Sequence, residues 1–195
     1  QGQGLSPQYY DELVGVKLNR DIETEDYFFL TDIRNDVVKV RNYNFKHSWG
    51  IPVRYHDFQK YYKTSNLDLV EFHLSYSDMD LKPEDYLQGE YDLDFVIHAP
   101  ELFKESRLMD LATPDTAYRD YSIMETQRVI DTTRSLKKFF PRTQRPQIVA
   151  NIGGFTMDGN LPLEVLPEYY DRFFQSLGQL DLEGVELIPQ TMGPF

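Results

Sequence analysis

The chain contains no cysteine, so disulfides, thiolate metal sites and cysteine nucleophiles are all excluded, which fits a reducing compartment. It has no apolar run approaching the roughly 18 residues that a membrane-spanning helix needs, and nothing at its start resembles a signal peptide. Positive charge is scarce: 20 Lys and Arg face 32 Asp and Glu, a net charge of −12 over 195 residues. Phosphate backbones and anionic lipid are repelled by such a chain, so nucleic acid and membrane surfaces are excluded as partners. No Gly-rich phosphate loop, G-x-S-x-G elbow or H-E-x-x-H pair is present, and Gly153-Gly154 lacks the dinucleotide-binding spacing. What the chain does have is 41% hydrophobic and 14% aromatic residues, enough for a packed core.

Up to about residue 62 the sequence offers only short apolar pieces. Ser6-Pro7 ahead of Tyr9, Tyr10, Leu13 and Val14 predicts a capped short helix ended by Gly15. Val16-Lys17-Leu18 and Tyr27-Phe28-Phe29-Leu30 are strand-like, Val37 to Val40 alternates weakly, and Asn44 to Pro52 reads as an irregular connector. From Leu67 the pattern becomes regular. Strands are expected at 69–74, 95–98, 148–152 and 185–188. Pro83-Glu84-Asp85-Tyr86 suggests a short helix and 117–140 a long one. Leu166, Tyr170, Phe173, Leu177 and Leu180 then mark one face of a third.

Strands alternating with helices imply an α/β fold with a parallel sheet. Glu71, His73 and Ser75 share one face of the first strand, and Val70, Phe72 and Leu74 the other. In a (β/α) barrel the polar set lines the interior at the catalytic mouth. Four strands make half of such a barrel, and the chain stops at Gly193-Pro194-Phe195 just after the fourth, so it reads as a portion of a longer protein.

The candidate site follows from this placement. Glu71 and His98, the latter at a strand end before Ala99-Pro100, are the candidates for moving a proton. His73, Asn151, Glu186 and Gln190 are candidates for holding hydroxyl groups, Asn151 because it can both donate and accept. The register of Glu186 and Gln190 is left open. No residue is assigned as a metal ligand, and no resident cofactor is identified, although a Glu beside a His leaves room for a divalent metal. The tyrosine pairs 61–62 and 169–170 read as packing rather than as sugar-stacking platforms.

Two family resemblances attach to particular residues. Gly4-Leu5-Ser6-Pro7, Tyr9-Tyr10, Gly15, Arg20-Asp21-Ile22 and Asp32-Ile33 resemble the C-terminal half of the antifreeze-like (SAF) domain of N-acetylneuraminate (sialic acid) synthases, over about residues 2–33. In that family the domain follows a metal-dependent barrel that condenses phosphoenolpyruvate with an N-acetylated sugar. Val96-Ile97-His98-Ala99-Pro100, Met109 to Asp115 and Tyr118 to Ile123 are similar to the xylose-isomerase-like TIM barrels, which include sugar isomerases, epimerases and endonuclease IV. His98 stands where endonuclease IV has a metal histidine. Asn151 stands in place of a second such histidine, and Ile188-Pro189-Gln190-Thr191 in place of a metal glutamate.

The resemblances imply three parts: an SAF-like segment 1–33, a connector 34–66, and the first half of a TIM barrel at 67–195. They imply a homo-oligomeric, cytoplasmic carbohydrate-biosynthesis protein acting on a small sugar or sugar phosphate by isomerisation or epimerisation. A non-catalytic sugar-binding or scaffolding barrel and an endonuclease IV-like metal phosphodiesterase are the alternatives.

Overall fold

A computed structural model describes residues 4–33, 45–151, 153–154, 159 and 161–190. The Val37–Val40 alternation, Ile152 and the terminal Gly193-Pro194-Phe195 lie outside the described residues. Two compact units are present, dividing between Asn42 and Tyr43.

The first unit has little regular structure. A 3-10 turn at Pro7–Tyr9 runs into α1 (Tyr10–Leu13), and α2 spans Leu30–Ile33. Pro7 starts the turn as expected, but the Ser6 side chain makes no capping bond. The strand-like 16–18 and 27–30 pieces form no strand. Leu30 instead opens α2, because Asp32 draws the chain into a turn: its carboxylate accepts the Phe29 N–H at 2.8 Å and holds Arg20 through Nε at 2.9 Å and Nη2 at 3.2 Å. Arg20 also donates to the Tyr27 carbonyl at 2.9 Å. This charged clamp organises the segment in place of an apolar core, because Asp32 is the unit's buried residue among those described.

The second unit is a mixed α/β domain built on one parallel sheet. In chain order it contains β1 (Gly50–Val53), α3 (Tyr55–Thr64), β2 (Leu69–His73) and β3 (Asp94–His98). A small antiparallel hairpin, β4 (Leu102–Phe103) and β5 (Arg107–Leu108), precedes α4 (Thr116–Leu136). Then come β6 (Gln147–Asn151), α5 (Leu166–Leu177) and β7 (Glu186–Gln190). The sheet order is β1-β2-β3-β6-β7, every pairing is parallel, and β1 and β7 are its two ends.

The four strands and the long helices fall where the apolar pattern puts them. The stretch expected as a connector differs. Its residues 50–64 form the first strand and first helix of the domain, and Val53, Tyr55 and Phe58 belong to the core. Gly50 and Pro52 read as turn residues, yet here they fit an end strand. Proline is tolerated where no neighbour needs its N–H, and a Cβ on Gly50 would lie 2.3 Å from the Leu69 carbonyl oxygen.

Alternation along the strands separates two faces. Val53, Phe72, Ile97, Ile148 and Leu187 form one continuous row across all five strands. They sit in or against a core that includes Phe58, Val129, Ile130, Leu136 and Phe140 from the intervening segments. Phe140 is fully buried at the centre of an aromatic group, with its ring 4.9 Å from Phe95, 5.5 Å from Tyr91, 5.7 Å from Phe72 and 5.9 Å from Phe58. Along α4 the hydroxyls of Ser122, Thr126 and Thr133 are buried without cost, because each donates to the carbonyl four residues earlier. Asp115 caps the helix by accepting the Tyr118 N–H at 3.1 Å. On α5, Phe173 is buried as the spacing predicts, but Tyr170 is half exposed, and the buried Leu180 lies three residues past the helix end. No described helix is long and apolar enough to cross a membrane.

Phe140→Ala removes the hub of this aromatic group and is expected to cost about 3–5 kcal/mol, as large-to-small core changes do. Equilibrium denaturation in urea measures it. A loss below about 1 kcal/mol would contradict the placement of Phe140 at the centre.

Candidate functional site

The opposite face of the sheet carries the polar alternates. Glu71, Val96, Gln147 and Glu186 share one register row, and His73, His98, Val149 and Ile188 the next. Asn151 and Gln190 pair one step further toward the strand ends. All six candidate residues therefore lie on one face; His73, His98, Asn151 and Gln190 lie toward its C-terminal edge, with Glu71 one row behind them beside His73. Glu186 does not join them. It occupies the start of β7, where its carboxylate accepts from Gln147 Nε2 at 3.2 Å.

The histidines form the centre of the group. Their rings stack at 4.3 Å with a 5° angle between planes. His73 is half exposed, with Nδ1 3.7 Å from the Glu71 carboxylate. His98 is 7% exposed and bonded at both nitrogens, Nδ1 to the Ala99 carbonyl at 3.1 Å and Nε2 to the Gln190 carboxamide at 2.9 Å. The Ala99 carbonyl and the Gln190 amide oxygen both only accept, so the ring is the donor in either contact, from Nδ1 to Ala99 or from Nε2 to Gln190 Oε1. In this way β3 and β7 are tied together across β6.

Asn151 stands apart from this network. It is 2% exposed, and among the described residues neither its Nδ2 nor its Oδ1 has a hydrogen-bond partner. A buried amide left unpaired costs roughly 1–3 kcal/mol. Both of its atoms are thus available to a ligand that can donate and accept.

The connector reading missed a fifth strand end. Arg54 follows β1, and alternation places it on the polar face beside His73. Its Nη2 donates to Ser75 Oγ at 2.7 Å and pairs with Asp78 at 2.5 Å, whereas its buried Nε–H has no acceptor among the described residues. Asp78 also accepts from the Ser75 N–H and Oγ, at 2.7 and 2.9 Å. Each strand of the sheet therefore brings a polar side chain to the same edge. The sequence signal was a short apolar run ending in Arg, obscured by Pro52.

Asp110 was also missed, lying in the resemblance segment but assigned no role. Its carboxylate accepts the Ala112 N–H at 2.9 Å and is further bonded by the backbones of Thr113 and Gly154. Burial pushes its carboxyl above the ordinary range, opposed by those N–H groups and by Arg172. Gly153 is required beside it: φ is +95°, and a Cβ would lie 2.0 Å from Asp110 Oδ1. The carboxylate thus pins the loop that follows Asn151. Among the described residues, no three His, Asp or Glu side chains converge closely enough to hold a metal ion.

A raised folded-state pKa means that the folded chain holds the Asp110 proton more tightly than the unfolded chain. The contribution to stability is full below the unfolded value, near pH 4, and is lost as pH rises through the folded value. Asp110→Asn is expected to flatten that part of the stability–pH curve, in the window that opens above the unfolded value. Thermal melts across this window measure it, and parallel curves for variant and parent would refute the assignment. No protein-family model matches the chain, and comparison with curated proteins and with solved structures finds no match to either.

Proposed function

We propose that the C-terminal edge of the sheet binds a small polyhydroxylated ligand, a sugar or sugar derivative, and moves a proton next to its carbonyl. The observation that carries this reading is Asn151, a buried amide with an unmatched donor and an unmatched acceptor, the two functions that each hydroxyl of a polyol answers. His73, Gln190 and Glu71 supply further polar groups around it. Glu71, half-buried beside His73, is the base that takes the proton alpha to the carbonyl. Returning that proton to the neighbouring carbon, while the hydroxyl proton passes to the former carbonyl oxygen, isomerises the sugar; returning it to the opposite face of the same carbon epimerises it.

The wider reading is of a carbohydrate-biosynthesis protein in the N-acetylneuraminate or nonulosonic acid pathway, resembling N-acetylneuraminate synthase at residues 2–33. In it, the sheet from β1 onward is part of a xylose-isomerase-like TIM barrel, its start moved from residue 67 to β1. The sequential order of parallel strands supports this, since a barrel is built in that order. A homo-oligomer in the cytoplasm, without nucleic acid or membrane as partner, belongs to the same reading.

One observation favours a second function, sugar binding without turnover. Both His98 nitrogens are already engaged, which leaves that ring no free base for catalysis.

Asn151→Leu tests the binding reading. Replacing an unpaired amide by an apolar group of similar volume is expected to leave stability unchanged or raise it by about 1–3 kcal/mol, while sugar binding is lost. Retained binding, or a large loss of stability, would sink it. Interconversion of aldoses and ketoses by the parent protein, abolished in Glu71→Gln, separates enzyme from binding module.

A further inference from the structure

Resting on the sugar reading of this face, we infer that its ligand carries a terminal anionic group, a phosphate or a carboxylate, and that Arg54 holds that group at the β1 end of the edge.

Arg54 is anchored but incompletely used. Its backbone N–H donates to Asp57 Oδ1 at 2.7 Å, and its Nη2 is held by Ser75 and by Asp78, which is 6% exposed. Asp78 meets the guanidinium through Oδ2 alone. That same oxygen accepts the Ser75 N–H and hydroxyl, so its charge is shared among three donors. The two-point pairing that would close the fork of a purely structural arginine is not made. The buried Nε–H has no acceptor among the described residues, yet the side chain as a whole is 35% exposed, so a ligand can reach it. An unmet N–H on a fixed, permanently charged guanidinium is best answered by an anionic oxygen.

The position of Arg54 says where on the ligand the charge lies. In the order β1-β2-β3-β6, Arg54 and Asn151 stand three strands apart, at most about 14 Å between their backbones. The long arginine side chain closes part of that gap, and the half-exposed His73 lies between them on β2. A ligand that meets both ends places its anion at one end and its hydroxyls at the other, as a hexose with phosphate or carboxylate at C6 does. The net charge of −12 does not decide the matter. Carboxylates elsewhere on the chain are screened over about 8 Å at physiological ionic strength, whereas Arg54 acts in contact. Glu71 lies a row behind, about 7 Å back along β2. In the first turn of α4, Arg119 adds a cation whose Nη1 donates to the neutral Thr113 carbonyl at 3.2 Å, which leaves its charge in place.

Calorimetric titration of the full chain with glucose, glucose 6-phosphate and glucuronate, and with the matching galactose and mannose sets, tests this. Two resonances report where each compound binds: the Arg54 Nε–H, identified by its loss in Arg54→Lys, and the Asn151 side-chain amide, identified by its loss in Asn151→Leu. The expected result is that a 6-phosphate or a uronate moves both and binds at least about tenfold more tightly than its parent sugar. Which of the two gains more distinguishes a phosphate from a carboxylate ligand. Arg54→Lys keeps a positive charge opposite Asp78 but has no Nε–H, and is expected to cut the advantage to about threefold or less. Arg54→Gln combined with Asp78→Asn removes the pair without stranding a buried carboxylate, and is expected to abolish it; thermal melts verify that both variants fold. A parent sugar that moves the Asn151 amide and binds as tightly as its anionic derivatives would overturn the inference and leave the sugar reading standing. An anionic advantage that survives in both variants would overturn it as well. If no compound moves the Asn151 amide, the sugar reading falls and the inference with it.

Discussion

Parallel pairing from β1 through β7 obliges each connection to travel back the length of the sheet before the next strand can begin. With strands added in chain order, the returning segments accumulate on one side. Their apolar surfaces meet Val53, Phe72, Ile97 and Ile148 there. The other side keeps the alternate residues, which are free to be polar. The chemistry of the domain therefore depends on the packing of its opposite face, with Phe140 at the centre of that packing.

This one-sidedness explains which features could be read from sequence. β2, β3, β6 and β7 are apolar runs bounded by breakers; two-residue alternation placed Glu71 and His73 on one face of the first strand, and position at a strand end singled out His98 and Asn151 without coordinates. β1 was hidden because Gly50 and Pro52 signal a turn, and in this case the proline marks an end strand. Losing β1 also lost Arg54. Glu186 and Gln190 could not be separated, because a register shift of a few residues decides which lies at the edge, and the sequence does not count hydrogen bonds.

Other properties arise only from assembly. Nothing in the string Val149-Ala150-Asn151 indicates that the amide would be enclosed and left without partners. The engagement of His98 by Gln190 joins residues 92 positions apart. Asp110 lay inside a segment singled out by resemblance, but its grip on the loop after β6 depends on Gly153 having no side chain. In the first unit, likewise, aromatic residues suggested a strand, whereas the Arg20–Asp32 pair governs how that segment folds.

Pro52 and Pro189 sit in the two outermost strands, and the central three contain none. Each removes an N–H from the ladder, and an outermost strand has so few donors that one gap breaks its continuity as a template. Among the described residues no further strand pairs with β1 or β7, and the two prolines make these margins poor templates for edge-to-edge pairing with another chain.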